Sequence, residues 1–181
     1  MNWVADKNFR VKNALELGTG TITVGANTVT IPTATDTLVG KATTDTLTNK
    51  TLQSPEEIVT ISATAATGTI NFDAVTQSVL YYTSNASANW TLNVRGNSGT
   101  TLSSILPTGS AITIAFMVTQ TTTAYYQTGF QIDGSSITPK WQGGSAPSAG
   151  NVSSIDVYSF TIIKTAATPT YIVLASMIGF A

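Results

Sequence analysis

The stretch Ala111-Ile112-Thr113-Ile114-Ala115-Phe116-Met117-Val118 decides the fold. Ile112, Ile114, Phe116 and Val118 share one parity, whereas Ala111, Thr113, Ala115 and Met117 share the other. Side chains on a strand alternate between faces, so this pattern reads as a half-buried antiparallel strand. Similar patterns flank it: Ile58 to Ala63, Thr69 to Asp73, Ser78 to Thr83, Trp90 to Arg95, Tyr125 to Ile132, Ile155 to Lys164 and Thr170 to Met177. Turn clusters divide them, notably Arg95-Gly96-Asn97-Ser98-Gly99 and Gln142-Gly143-Gly144-Ser145-Ala146-Pro147. Roughly eight short strands in such a length predict an all-β head, a jelly-roll-like antiparallel β-sandwich over residues 55–181, without a helix of consequence.

The last two strands are apolar on both faces. Tyr158, Phe160 and Ile162 oppose Val157 and Ile163, and Ile172, Leu174 and Ile178 oppose Tyr171, Val173 and Met177. A two-layer sandwich covers one face of each strand, so the second face meets either a long loop or another subunit. The low charge favours a subunit, and Tyr171, Val173 and Met177 are the candidate interface residues.

Residues 1–54 follow a different pattern. Phe9, Val11, Leu15 and Leu17 share a strand parity, and Ile22, Val24, Val29 and Ile31 continue it across Gly25-Ala26-Asn27. Then Thr35-Asp36-Thr37-Leu38 repeats as Thr44-Asp45-Thr46-Leu47, followed by Thr48-Asn49-Lys50-Thr51-Leu52. One leucine per step suits a thin trimeric β stalk in which Leu38, Leu47 and Leu52 meet their copies. A solvated linker is the alternative, since such polar sequence buries little against chain entropy. Ser54-Pro55-Glu56-Glu57 carries a helix-start signature, but the β-branched run after it limits any helix to one turn.

Composition removes whole classes of function. Among 181 residues, only 9% are charged and the formal net charge is −1, which gives no electropositive footprint for nucleic acid. Threonine is the commonest residue, as befits pleated surfaces. With neither cysteine nor histidine, no disulfide, thiolate zinc site, Cys-His dyad or Ser-His-Asp triad can form within the chain. No cofactor is expected. The start Met1-Asn2-Trp3-Val4-Ala5-Asp6-Lys7 lacks a signal-like apolar region, and Tyr171 to Ala181 is about half a membrane span, so the expectation is a chain made in a cytoplasm without membrane insertion.

The segment Ala34 to Leu52, together with Asn8 to Asn13, resembles the repeat segment of tail-fibre and related virion structural proteins of phages, especially those infecting marine cyanobacteria. The run Val157 to Thr165 and the ending Tyr171 to Ser176 are similar to the C-terminal heads of such proteins. What the resemblance implies is a homotrimeric virion appendage on the tail or the capsid. At 181 residues, a short distal fibre or a capsid-bound fibre or decoration protein fits better than a complete host-reaching tail fibre.

A tailspike-type glycosidase would need two acids about 5 to 9.5 Å apart. Asp36 and Asp45 are in phase with the repeat, and Glu56 and Glu57 suit a helix start, leaving Asp73, Asp133 and Asp156 without an evident pair. The expectation is therefore no enzyme and no catalytic or metal-ligating residues. Gly18-Thr19-Gly20 lacks the lysine of a phosphate loop and reads as a turn. Trp90 alternates with Leu92 and Val94 and reads as core. Trp141 ends a strand beside the loop Gln142 to Asn151, so Trp141, Gln142 and Asn151 are candidate contacts to a host surface glycan; otherwise Trp141 seals the sandwich edge. Trp3 and Phe9 are candidates for docking the N-terminus to another virion protein, or they cap the end of the trimer.

Overall fold

The computed structural model describes residues 21–24, 27–30 and 47–181. The chain divides into two compact units, Met1–Leu52 and Gln53–Ala181, where the sequence suggests 1–54 and 55–181. In the first unit, β1 (Thr21–Val24) pairs antiparallel with β2 (Asn27–Thr30), joining Ile22 to Val29 and Val24 to Asn27. Leu47 and Leu52 are exposed, and Leu38, Trp3 and Phe9 lie outside the described residues.

The second unit contains β3 (Val59–Ala65), β4 (Gly68–Asp73), β5 (Val79–Asn85), β6 (Trp90–Arg95), β7 (Ala111–Thr119), β8 (Gln127–Ile132), β11 (Ile155–Ala166) and β12 (Thr170–Phe180). Each covers one of the stretches that the alternation marks out. Three short elements escape that pattern: a helical turn, α1 (Leu102–Ile105), and the two-residue strands β9 (Ser135–Ser136) and β10 (Lys140–Trp141). The strands form a six-stranded sheet ordered β10-β12-β11-β7-β5-β3 and a four-stranded sheet ordered β4-β6-β8-β9.

The pairing corrects the antiparallel expectation. From β3 to β8 the chain alternates sheets at every step, so neighbours within a sheet are two strands apart in sequence and run the same way. Thus β3/β5, β5/β7, β4/β6 and β6/β8 are parallel, as is β10/β12. Parallel neighbours need a crossover, and here the strand of the opposite sheet supplies it. Antiparallel pairing holds for β7/β11, β11/β12 and β8/β9. The alternation remains because each sheet still has one inner face, whatever the direction of its neighbours.

The core is aromatic where the sheets face each other. Trp90 of β6 meets Phe116 of β7 edge-on at 6.0 Å and Tyr158 of β11 at 5.8 Å, and Phe130 of β8 packs on Phe160 at 4.8 Å. These edge and tilted geometries add to the apolar burial. Burial pushes the Tyr158 phenol well above its ordinary pKa, against a smaller opposing effect of its bond from Gln127 N. It therefore stays neutral inside the core.

Register assigns the two faces of the six-stranded sheet. Tyr158, Phe160 and Ile162 are buried, and their partners on β12 are Met177, Ala175 and Val173. Tyr171, Val173 and Met177 therefore point into the chain's own sandwich, with Val173 only 1% exposed. This reverses the face that the sequence suggests for them. Two apolar parities look equivalent in sequence, and the aromatic partners on β11 settle which one turns inward. The outward set is Ile172, Leu174, Ile178 and Phe180.

Candidate functional site

Trp141 stands at the edge of the six-stranded sheet because β10 pairs with β12, Lys140 opposite Leu174 and Trp141 opposite Ala175. Since Ala175 faces inward, so does the indole, which meets Tyr158 and Phe160 edge-on at 6.4 and 6.0 Å. It closes the edge of the sandwich, and its remaining surface borders three depressions. Trp141 is thus a half-buried ring that seals the sandwich edge. The chain then turns at once through Gln142–Gly144, where Gly143 and Gly144 take φ of 77° and 85°, a region that side-chain-bearing residues rarely enter. That turn keeps Gln142 beside Trp141.

One depression, of about 380 Å³, is bordered by Lys140, Trp141, Gln142, Thr161 and Ser176. Another, of about 350 Å³, lies towards β8 and includes Thr91, Gln127, Thr138 and Trp141. Asn151 borders none of the three at Trp141. Its side-chain amide instead donates to Asp156 Oδ1 at 2.6 Å, and its backbone N–H donates to Oδ2 at 3.1 Å. The structure brings Trp141 and Gln142 together and ties Asn151 to the scaffold.

The three acids that the sequence leaves open are all engaged. Asp73 accepts from Arg95 Nε at 2.7 Å, and Asp133 accepts from the first backbone N–H groups of α1 at 2.7 and 3.1 Å. Asp156 is fully buried and accepts from Gln120, Asn151 and Ser154. A buried carboxylate is stable only when so surrounded. Among the described residues, no cluster of three or more metal-ligating acids is found. No helix there is long and apolar enough to cross a membrane.

Nothing in the sequence singles out the buried Lys164, whose ammonium donates to Ser103 O at 2.6 Å and to Ser103 Oγ at 3.2 Å. A serine beside a lysine can serve nucleophilic catalysis. Here the lysine also grips the serine's own carbonyl, and Ser103 borders none of the depressions described above, so the pair straps α1 to β11. Tyr171 lies beside Ser103 and its phenol is pushed up by burial, with the Asp133 charge adding to the rise, and its hydroxyl has no hydrogen-bond partner among the described residues.

The outer face of the six-stranded sheet carries a row of exposed apolar side chains. Register places Ile61, Tyr81, Met117, Val157 and Ile178 in one row across β3, β5, β7, β11 and β12. A second row runs Val59, Val79, Ala115, Ser159 and Ser176, and Ile155 pairs with Phe180 beyond the first. Ile61, Ile178 and Phe180 are 60, 56 and 60% exposed. These outward rows contain no charged residue. Hydroxyls within the face bond to one another, Tyr81 to Thr119 and Thr113 to Thr161.

This arrangement defines a two-sheet β-sandwich module with an apolar outer face and polar depressions at one edge. No family model, no curated protein and no solved structure matches the chain.

Proposed function

We propose that the protein is a non-enzymatic structural protein of a bacteriophage virion, a short homotrimeric fibre of tail-fibre type that can serve host attachment. The observation that carries this reading is the uncharged apolar row Ile61-Tyr81-Met117-Val157-Ile178 with its neighbours. Five strands at about 4.8 Å spacing and about five residues per strand make a footprint on the order of 400 Å². That footprint includes the hydroxyls of the second row, and surface patches of a few hundred Å² are often functional. The absence of charge from these rows suits a second and third copy of the same face, since self-packing needs no complementary charge. The leucines at 38, 47 and 52 extend the same logic to a trimeric stalk.

The virion address is supported by the resemblance of Ala34 to Leu52 and of the C-terminal strands to phage fibres. Capsid decoration is the alternative address for the same assembly. The engaged state of Asp73, Asp133 and Asp156 supports a non-enzymatic head over a tailspike hydrolase. In this reading Trp3 and Phe9 dock another virion protein. Immunogold labelling of particles is expected to mark tail tips, and Trp3→Ala with Phe9→Ala should lower particle occupancy without lowering the melting temperature of the head. Label on the capsid shell would move the assignment to decoration, and absence of label from particles would overturn it.

A further inference from the structure

The six-stranded sheet ends in two unlike edges. At one, β3 pairs with β5 alone, so its other side meets no strand among the described residues. Val59–Ala65 holds neither proline nor a charged residue, which are common means of keeping an open edge from other chains. Ile58, just before it, is 82% exposed, a large apolar side chain with little to pack on in its own chain. At the other edge β10 meets β12 only at Leu174 and Ala175 and has no further strand beside it among the described residues.

The two edges carry opposite charge at one level of the sheet. Lys140 pairs with Leu174, whose row continues through Thr161 to Thr113. One two-residue step along lies the row of Ser176, Ser159, Ala115, Val79 and Val59. Glu57 stands the same step before Val59, so it ends the row that Lys140 begins. Its Oε2 accepts from Ser78 Oγ at 3.1 Å, which keeps it beside the start of β5. Lys140, Glu56 and Glu57 are all exposed, and Lys140 makes no ion pair among the described residues. Five strand spacings of about 4.8 Å put Lys140 about 24 Å from Glu57 in one chain, too far for contact.

A rotation about an axis along the strands leaves every residue at its own height. An edge residue can therefore meet only a residue of the same level on the next copy, a condition that Lys140 and Glu57 fulfil. Contact between opposite edges is heterologous and forms a ring when the rotation closes. Six strands make a wall about 29 Å wide, and three such walls stand about 8 Å from a shared axis, close to the reach of Tyr81 and Met117 from the outer face.

We infer, on the homotrimer proposed above, that the β3 edge of each copy abuts the β10 edge of the next, with Glu57 and its neighbour Glu56 paired to Lys140 and the apolar outer faces turned to the axis. Carbodiimide treatment of the full-length protein tests this, because a zero-length reagent joins an amine to a carboxylate only where the two already touch. The expected products are covalent dimers and trimers in which mass spectrometry joins the Lys140 peptide to the peptide of Glu56 and Glu57, a link that the span of the sheet forbids within one chain. Lys140→Arg should keep the trimer and lose the link. Lys140→Glu should raise the concentration at which the trimer dissociates about tenfold, and adding Glu56→Lys with Glu57→Lys should restore it. A trimer without the link, a trimer indifferent to Lys140→Glu, or a reversed pair that fails to recover would overturn the edge contact and leave the fibre standing. A folded monomer on sedimentation would remove both.

Discussion

In the proposed homotrimer, replacing Met117 with lysine is expected to leave folded monomers. Met117 sits at the centre of the outward row, with Tyr81 on one side and Val157 on the other. In an isolated chain a lysine there reaches water, so the sandwich core of Trp90, Phe116 and Tyr158 is untouched. In the proposed trimer each ammonium group would be buried against a neighbouring copy without a partner. Burying an unpaired charge costs several kcal/mol per copy, which is of the order of the whole stability of a domain. The monomer should keep its β-rich circular dichroism while its sedimentation coefficient falls. The control is Val173→Ala, which removes volume from the inner face and should lower melting without changing oligomeric state. If Met117→Lys stays trimeric, the interface does not lie on this outer row.

The second large effect is expected at Asp156. Its carboxylate accepts from Gln120 Nε2 at 3.0 Å, Asn151 N at 3.1 Å, Asn151 Nδ2 at 2.6 Å and Ser154 Oγ at 3.3 Å. Asp156→Ala strands the donors of the buried Gln120 and Ser154 and frees Asn151 from its tie, for a total of about 2 to 5 kcal/mol. For a unit of this size the melting temperature should drop by roughly 10 °C or more. Gly150, where a Cβ would collide with Tyr125 O and crowd Asp156 Oδ2, belongs to the same tie, so proteolysis in the 142–153 loop should accelerate in parallel. Asp156→Asn keeps the volume but turns an amide NH2 towards donors, so it should fall between parent and alanine. A melting temperature within a degree or two of the parent for Asp156→Ala would mean that these hydrogen bonds add little to the fold.

The strands of the sandwich were legible because a half-buried strand must alternate, and Ala111 to Thr119 does so plainly. Their direction was not. Alternation is identical in parallel and antiparallel neighbours, and only the chain's habit of changing sheet at each step decides between them. The apolar outer face was half legible: the double parity of Val157 to Ile163 and Tyr171 to Ile178 announced a second apolar surface, but the pairing of Tyr158, Phe160 and Ile162 with Met177, Ala175 and Val173 was needed to say which side it is. Trp141 and Gln142 could be singled out from an aromatic residue beside a glycine-rich turn. Gln127 could not, since strand parity from Phe130 and Ile132 turns it away from the core and the β-bulge at Thr128 that brings it back leaves no mark in the sequence. Lys164 was hidden for a related reason, because a lysine at an inward position looks like an interruption until Ser103 is beside it.

Sedimentation equilibrium of the full chain across micromolar concentrations tests the homotrimer most directly. The expected result is a single species at three times the 18.9-kDa chain mass. A well-folded species at the mass of one chain, its outer row Ile61-Tyr81-Met117-Val157-Ile178 open to water, would contradict it.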